Sequence, residues 1–450
     1  MRSLALALIL CVVLVGCSTG DKPSGKTMPQ DWNPYTATLP DDQIPPIVVP
    51  DGRPETLMPE DGARVVLTSI SEGLPESGLW RQNLAIADMN GDGHLDIIAG
   101  PPRGGTSEKK PFVFLGDGKG SWSAWNVEMP HAYYQYGGVD AADIDANGLL
   151  DIAITGHYAP VYVLLQTAPG VFELMSKGLP DGAGFSSRTI KAANLDDDPW
   201  LELVLLADTN IDKAQRPLEA ALQRIFDWNP EQGTWVSELE GLNDRAFGDR
   251  LVVADFNMDG RPDFAVSNHV QKGKNVLFYQ TPRGWQNASI YSLFANAYTF
   301  DVSLANFNGD DRPDLLFSQL VVLPVVSPKT TRKLYHRAVL VACLNTPDGW
   351  EVRELAYLSS HLMFEAVAAA DFNGDGTDDV VGLQRDGSLY LLLSEGDGFT
   401  RARIEDWNLK GRPYWAQAAD VNEDGRPDLC VAFGGEEGKS GIYCYSLNMK

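Results

Sequence analysis

The chain has 450 residues, of which 44% are hydrophobic, and a net charge of −25. This apolar fraction is enough for a folded core and excludes a generally disordered protein. The 61 acidic residues against 36 basic ones argue against a nucleic-acid partner and against adsorption to anionic membranes, because both require a basic surface.

The first residues have the layout of a secretory signal. Arg2 precedes an apolar run at 4–15 that is too short for a good membrane-spanning helix. Residues 14–17 read Leu-Val-Gly-Cys and resemble a bacterial lipobox, which implies a lipoprotein signal peptide at 1–17 with Cys17 as the lipidated residue. An ordinary signal peptide cut elsewhere is the alternative. The resemblance implies a lipid-anchored protein of the bacterial cell envelope. Serine rather than aspartate at position 18 favours the outer membrane if the cell is Gram-negative.

The segment at 18–62 is rich in proline and poor in large apolar residues. Such a composition cannot bury a core, and it favours semi-extended backbone. We therefore expect a flexible tether between the anchor and a folded body that begins near residue 63.

From residue 63 onward the chain repeats a nine-residue loop of the form Asp-x-Asn-Gly-Asp-Gly-x-x-Asp, at intervals of about 50 to 65 residues, a period that suits a propeller blade of four strands. Short apolar runs flank each loop, so we expect it to join the first strand of a blade to the second. The sequence therefore predicts an all-β, seven-bladed β-propeller over 63–450. The seven loops begin at Asp88, Asp143, Asn194, Asp255, Asn306, Asp371 and Asp420.

The ring is expected to close through the N-terminus. A glycine followed by an aromatic residue recurs near the start of the fourth strand in six units, whereas the seventh unit ends after three strands. A strand at about 63–70 would complete the last blade and remove free sheet edges. An alanine precedes every loop, which fits strands that converge on the propeller axis: Ala87, Ala142, Ala193, Ala254, Ala305, Ala370 and Ala419.

The loops offer the hard oxygen ligands that calcium prefers, with side chains at positions 1, 3, 5 and 9, a backbone carbonyl at position 7 and a glycine at position 6 for the turn. Three carboxylates in one short loop repel each other unless a cation joins them. Plain Asp/Asn/Gly turns are the alternative. An EF-hand is excluded, because it needs flanking helices and a glutamate at position 12. The predicted ligands are Asp88, Asn90, Asp92, Asp96, Asp143, Asp145, Asn147, Asp151, Asp255, Asn257, Asp259, Asp263, Asn306, Asn308, Asp310, Asp314, Asp371, Asn373, Asp375, Asp379, Asp420, Asn422, Asp424 and Asp428.

With these loops the chain resembles, over residues 63–450, the FG-GAP and VCBS repeat families of integrin α-chain propellers and bacterial surface proteins. The resemblance implies about five to seven structural Ca²⁺ sites of weak, extracellular type. The third loop, Asn194 to Glu202, has Pro199 at position 6 and a glutamate at position 9. Its occupancy stays open.

The segments that enter each first strand are expected on the face opposite the loops, and they are rich in aromatic and charged residues. Aromatic rings with arginines suit sugar binding, although rings that fill gaps between blades are the alternative for each residue. The predicted ligand-binding residues are Trp80, Arg81, Tyr134, Arg188, Arg250, Tyr298, Tyr414 and Trp415. Polar residues expected near the axial mouth are Asp140, Lys191, Asp301, Glu365 and Gln417.

Cys430 and Cys444 are expected to face each other across a hairpin, either as a disulfide or as two buried thiols. The sequence contains no nucleophile elbow, phosphate loop or His-Glu-x-x-His motif, so an enzyme is the less favoured reading. We expect a monomeric ligand-binding or adhesion module for a surface carbohydrate or an envelope protein. The alternatives are an envelope assembly scaffold and a polysaccharide-active lyase or hydrolase.

Overall fold

The computed structural model describes residues 59–60, 62–81, 83–104, 109–196, 198–210, 223–238, 242, 246–269, 275–290, 297–325, 333–358, 362–396, 398–405, 407–408, 411–435 and 440–450. The predicted signal peptide with Cys17, and nearly all of the predicted tether, lie outside these residues.

Seven sheets follow one another along the chain, and each of the first six has four strands in chain order. Blades one to three contain β2 (Ala85–Ala87), β3 (Asp96–Ala99), β4 (Phe112–Gly116), β5 (Trp122–Ala124), β6 (Val139–Ala142), β7 (Asp151–Gly156), β8 (Ala159–Ala168), β9 (Val171–Leu174), β10 (Ser187–Ala193), β11 (Glu202–Ala207), β12 (Gln223–Asn229) and β13 (Thr234–Glu238).

Blades four to six contain β14 (Leu251–Ala254), β15 (Asp263–Val266), β16 (Asn275–Thr281), β17 (Gly284–Ile290), β18 (Ala297–Ala305), β19 (Asp314–Val325), β20 (Lys333–Thr346), β21 (Gly349–Leu358), β22 (Phe364–Ala370), β23 (Asp379–Gln384), β24 (Leu389–Glu395) and β25 (Gly398–Arg401). Every regular element among the described residues is a strand, which confirms the predicted all-β, seven-bladed propeller.

The seventh blade has five strands: β1 (Arg64–Ser69), β26 (Arg403–Glu405), β27 (Arg412–Ala419), β28 (Asp428–Gly434) and β29 (Gly441–Met449). β1 pairs antiparallel with β29, with Leu67 opposite Leu447, so the predicted closure by the N-terminal strand is confirmed. The sequence did not predict β26, which pairs in parallel with the outer side of β1. This added strand covers the edge that β1 would otherwise expose.

The core lies between neighbouring blades. Between the last blade and the first, Trp80, Trp122 and Trp415 pack with Ile442 and the Cys430–Cys444 pair. The innermost strands of neighbouring blades contact each other, as β18 does with β22 and β22 with β27. The alanine before each loop ends such a strand and pairs with the acid that opens the next strand, as Ala87 does with Asp96.

The chain comprises two compact units. One comprises Glu55–Val321 and Arg337–Lys450 and contains the propeller core. The other comprises Met1–Pro54 and Val322–His336, of which the structure describes only the strand residues 322–325 and 333–336. In the part of the chain that is described, no helix has the length and hydropathy needed to cross a membrane.

Candidate metal-binding loops and the opposite face

Each acidic loop lies where the sequence predicted it, between the first and second strands of a blade. Its first residue follows the innermost strand, and its ninth residue is the first residue of the second strand, as Asp88 and Asp96 are around β2 and β3. The same placement holds for all seven loops. The loops therefore repeat with the blades around the ring.

The carboxylate at position 1 is held by the backbone of its own loop. In blade one Asp88 Oδ1 accepts the N–H groups of Gly91 at 2.8 Å and Asp92 at 3.0 Å, while Oδ2 accepts that of Gly93 at 2.9 Å. Asp255, Asp371 and Asp420 accept the corresponding bonds from the fifth and sixth residues of their loops. These bonds fix the carboxylate over the loop.

Positions 3 and 5 are joined to each other. Asn90 Nδ2 donates to Asp92 Oδ2 at 2.8 Å, and Asp92 Oδ1 accepts the His94 N–H at 2.9 Å. The bond from Asn90 holds the pKa of the exposed Asp92 carboxyl below its usual value. The same amide–carboxylate pair forms at Asn257–Asp259, Asn308–Asp310 and Asn373–Asp375.

The carboxylate at position 9 is fully buried and ties the loop to the third strand. Asp96 Oδ2 accepts the Met89 N–H of the loop at 2.8 Å, and Oδ1 accepts the Gly116 N–H of β4 at 3.0 Å. The third-strand bond recurs in blades two, four, five and six, from Gln166, Gln280, Asn345 and Ser394. The predicted metal ligand at position 9 is thus also a structural acceptor, a role that the sequence analysis missed.

Burial makes the charge at position 9 costly. It raises the pKa of Asp96 to about 6 and that of Asp151 to about 7, and the nearby loop carboxylates act in the same direction. The same cause raises the pKa of Asp263 and Asp314 to about 6 and of Asp379 and Asp428 to about 7. A cation beside such a carboxylate would favour its ionised form.

The residue at position 4 adopts the left-handed conformation in all six loops for which the structure describes it. Gly91, Gly309 and Gly374 do so with φ of 75°, 68° and 79°, at little cost. Ala146, Met258 and Glu423 do so with φ of 58°, 61° and 57°, which strains a residue that has a Cβ. The predicted glycine at position 6 is left-handed as well where it is present, as in Gly260 at 87°.

The donor set fits calcium in its chemistry, because the predicted ligand atoms are all oxygens. In blade two, one carboxylate oxygen each of Asp143, Asp145 and Asp151 lies within 4.8 Å of the others. In blade five, Asn306 replaces the first aspartate. Its N–H donates to Asp378 of the sixth loop at 2.7 Å. Asp378 is a carboxylate beside the fifth loop that the motif did not identify.

Neighbouring blades are also joined next to the loops. Asn345 Nδ2, on the third strand of blade five, donates to the Phe256 carbonyl in the loop of blade four at 2.6 Å. Gln280 and Gln166 make the corresponding bonds to Leu195 and Met89. A shift of one loop would therefore disturb a hydrogen bond to the third strand of the next blade.

On the opposite face the structure buries five of the eight predicted ligand-binding residues: Trp80, Tyr134, Arg250, Tyr298 and Trp415. Trp80 is 3% exposed and donates its Nε1–H to the Ser77 carbonyl at 2.8 Å. These rings fill gaps in the propeller, the alternative that the sequence had left open. Arg81, Arg188 and Tyr414 stay partly exposed.

The partly exposed residues belong to a group of arginines and tyrosines. The guanidinium of Arg81 lies 5.3 Å from the Tyr414 ring centroid, and that of Arg412 lies 4.8 Å from it. Tyr136 is flanked in the same way by Arg103 at 5.3 Å and Arg188 at 5.8 Å. We call Arg81, Arg103, Arg188, Arg412, Tyr136 and Tyr414 the arginine–tyrosine patch.

Arg188 anchors this patch to two carboxylates, the buried Asp208 and the partly exposed Asp249. Its Nη1 lies 3.2 Å from Asp249 Oδ1, and its Nε lies 2.9 Å from Asp208 Oδ2, which His157 Nδ1 also contacts at 2.6 Å. Burial acts to raise the pKa of Asp249, but the charge of Arg188, with smaller contributions from His269 and Arg250, outweighs it and holds that pKa well below its usual range. Asp249 is therefore firmly ionised.

A cavity of 580 Å³ is lined by residues of the innermost strands. Four of the five polar residues expected near the axial mouth line it, namely Asp140, Lys191, Asp301 and Gln417, whereas Glu365 is not among its lining residues. Lys191 Nζ lies 2.6 Å from Asp140 Oδ1, and Arg250 Nε lies 3.0 Å from Asp301 Oδ1. Both carboxylates are thus committed to ion pairs.

Comparison with known proteins agrees with this architecture. The FG-GAP-like repeat model matches residues 88–154, 255–317 and 371–431. Integrin alpha pat-2 of Caenorhabditis briggsae is 28% identical over 218 residues, which are 40% of this chain and 17% of that protein. The matched region is thus a small part of that relative.

Two similar solved structures are crystals of BBS1N in complex with ARL6DN, soaked with lead or with mercury. They have TM-scores of 0.47 and 0.48, identities of 11%, and cover 85% and 86% of this chain and 98% of theirs. From the sheet order and the matched repeats we conclude that the chain is a seven-bladed β-propeller that carries FG-GAP-like repeats in three regions.

Proposed function

We propose that this protein is a lipid-anchored recognition module of the cell envelope, in which calcium in the acidic loops stabilises the propeller and the opposite face binds a carbohydrate or protein ligand. Its resemblance to an integrin α-chain supports an extracellular or surface location. The bacterial envelope and the anchor at Cys17 rest on the lipobox-like sequence.

The observation that carries the proposal is the arginine–tyrosine patch. The chain has a net charge of −25, yet four arginines lie on this face against the partly exposed ring of Tyr414 and the buried ring of Tyr136. Guanidinium groups donate hydrogen bonds to hydroxyl and carboxylate oxygens, and aromatic rings stack on the apolar faces of sugars. Both groups therefore suit an oxygen-rich ligand.

The experiment is retention of the purified protein on a panel of surface polysaccharides, with and without calcium. The wild-type protein should be retained by at least one polysaccharide, and Tyr414→Ala and Arg81→Ala should lose most of that retention. Arg353→Ala is the matched control, because Arg353 lies on the outer strand β21 and bonds to Glu351 at 2.7 Å.

The other outcomes separate the remaining classes. An envelope protein that co-elutes with the wild type but not with Tyr414→Ala, in the absence of sugar retention, supports the protein ligand. Release of oligosaccharides would identify a polysaccharide-active enzyme instead. Equal behaviour of all variants would contradict the assignment of the ligand site to this patch.

A further inference from the structure

The third blade contains an acidic cluster that the loop motif does not account for. One carboxylate oxygen each of Asp196, Glu202 and Asp227 lies within 4.8 Å of the others. Asp196 and Glu202 are positions 3 and 9 of the third loop, but Asp227 lies on the third strand, β12. One member of the cluster therefore comes from outside the nine-residue loop.

The register of the sheet shows that Asp227 is exceptional among the blades. Leu203, the residue after the ninth loop position, pairs with Phe226 on the third strand, β12. Asp227 directly follows Phe226. The corresponding position in five other blades is mostly apolar: Leu115, Leu165, Tyr279, Leu393 and Ser446. Blade three alone of these six has a carboxylate there.

Glu202 differs from its counterparts in its hydrogen bonds. One of its oxygens, Oε2, accepts the Leu195 N–H, as the ninth residue does in other blades. The other, Oε1, which corresponds to the oxygen that accepts a third-strand N–H in five other blades, has no hydrogen-bond partner, although Glu202 is 1% exposed. Asp227 Oδ1 also has none. Two buried carboxylate oxygens are thus left without a donor beside Asp196.

Within the part of the chain that the structure describes, no basic side chain is paired with this cluster. Among the described residues, no lysine, arginine or histidine forms an ion pair with Asp196, Glu202 or Asp227. Arg261 lines the same 220 Å³ pocket as Asp196, without an ion pair between them. Unpaired buried carboxylates are costly unless a cation or a proton joins them.

We propose that the third blade holds a divalent cation of the calcium class through Asp196, Glu202 and Asp227, with the third-strand aspartate supplying a ligand in place of the degenerate part of the loop. The all-oxygen donor set favours a hard cation such as Ca²⁺ over zinc or copper. This inference is independent of the ligand proposed for the opposite face.

Calcium titration calorimetry on the purified protein tests the site. Asp227→Asn and Asp227→Leu should each lower the number of bound calcium ions by one. Glu231→Gln is the matched control, because Glu231 lies in the exposed turn between β12 and β13 of the same blade and outside the cluster. Glu202→Gln should reproduce the loss.

Melting temperatures distinguish the loss of this calcium site from a general loss of structure. In excess chelator, Asp227→Leu should melt at a higher temperature than the wild type, because it removes a repulsive charge and restores the residue type of the other blades. Calcium should raise the melting temperature of the wild type more than that of Asp227→Leu, so the difference between the two melting temperatures should shrink or reverse. Unchanged calcium stoichiometry in both Asp227 variants and in Glu202→Gln would overturn the proposal.

Tryptophan-sensitised terbium luminescence gives an independent readout. Trp228 is the chain neighbour of Asp227 on β12, and its ring stacks on that of Trp200 with centroids 5.1 Å apart, so two tryptophan donors belong to the same blade as the proposed site. Asp227→Asn should remove a saturable part of the emission that calcium competes away. Emission equal to that of the wild type would contradict a site at this position.

Discussion

Cys430 on β28 and Cys444 on β29 lie directly opposite each other and form a disulfide, with their Cα atoms 4.1 Å apart. Both side chains are buried among the tryptophans that pack the last blade against the first. The sequence had left a disulfide and two free thiols open, and the structure has the disulfide. It lies at the seam where the ring closes through β1.

Removing this disulfide should destabilise the protein. A cross-link that closes a loop of this size, with a sequence separation of 14, contributes about 3 kcal/mol through the unfolded state. In urea denaturation the double variant Cys430→Ala/Cys444→Ala should therefore have a lower free energy of unfolding than the wild type. A reductant should lower the free energy of unfolding of the wild type toward the same value. If a reductant also lowers the free energy of unfolding of the double variant, the effect does not come from this bond.

Removal of calcium should lower the melting temperature, because the binding free energy of a loop ion adds to the folding free energy. The measurement is thermal unfolding in calcium and in excess chelator. Asp92→Asn/Asp259→Asn/Asp375→Asn should reduce the difference between the two conditions. Glu173→Gln, on the exposed outer strand β9, should leave it intact. An unchanged melting temperature on chelation would contradict the metal assignment for most loops.

Positions 5 and 9 of one loop should behave differently. Asp96→Asn places an amide N–H₂ against the Met89 or Gly116 N–H that the carboxylate now accepts, which should cost about 1–3 kcal/mol even in chelator. Asp92→Asn, at an exposed position, should cost less than about 0.5 kcal/mol in chelator and show its effect only in calcium. Equal losses in chelator would refute the dual role of Asp96.

Met258 is 44% exposed and has φ of 61° at position 4 of the fourth loop. Met258→Gly should stabilise the protein by about 1 kcal/mol, because glycine adopts the left-handed conformation without the steric cost of a Cβ. Met258→Ala keeps the Cβ and should be nearly neutral. Urea denaturation of the three proteins checks this, and equal stabilities of the two variants would argue against backbone strain.

The stabilising effect of Asp249 should depend on pH. Its pKa in the fold lies well below the usual aspartate value of about 3.9, so its ionised form stabilises the fold above that value, and the stabilisation is lost as the pH falls below it. The melting temperature of Asp249→Asn should therefore lie furthest below the wild type near pH 7, and the gap should narrow below about pH 4.

The control for this profile is Asp348→Asn, which removes an exposed carboxyl in the turn between β20 and β21. Its melting curve should follow the wild type at every pH. A gap for Asp249→Asn that does not change with pH would mean that the hydrogen bonds of Asp249, rather than its charge opposite Arg188, account for the loss.

The sequence by itself determined the number of blades, the position of every acidic loop and the closure by the N-terminal strand. These features are local and repeated: a turn that needs Asp, Asn and Gly at fixed positions is visible wherever it occurs, and a missing fourth strand has to be supplied from elsewhere in the chain. That Cys430 lies opposite Cys444 followed from the symmetry of the hairpin, which is also a local feature.

The tertiary structure decided what depends on neighbours distant in sequence. Trp80 and Trp415 are buried because the last and first blades meet over them, whereas Tyr414, one residue away, stays partly exposed. Asp227 lies beside Asp196 and Glu202 only because of the register of β11 and β12. The repeat pattern does not predict this register, because the segment between the second and third strands differs in length from blade to blade. Burial and cross-strand register belong to the packed sheets, and no nine-residue motif contains them.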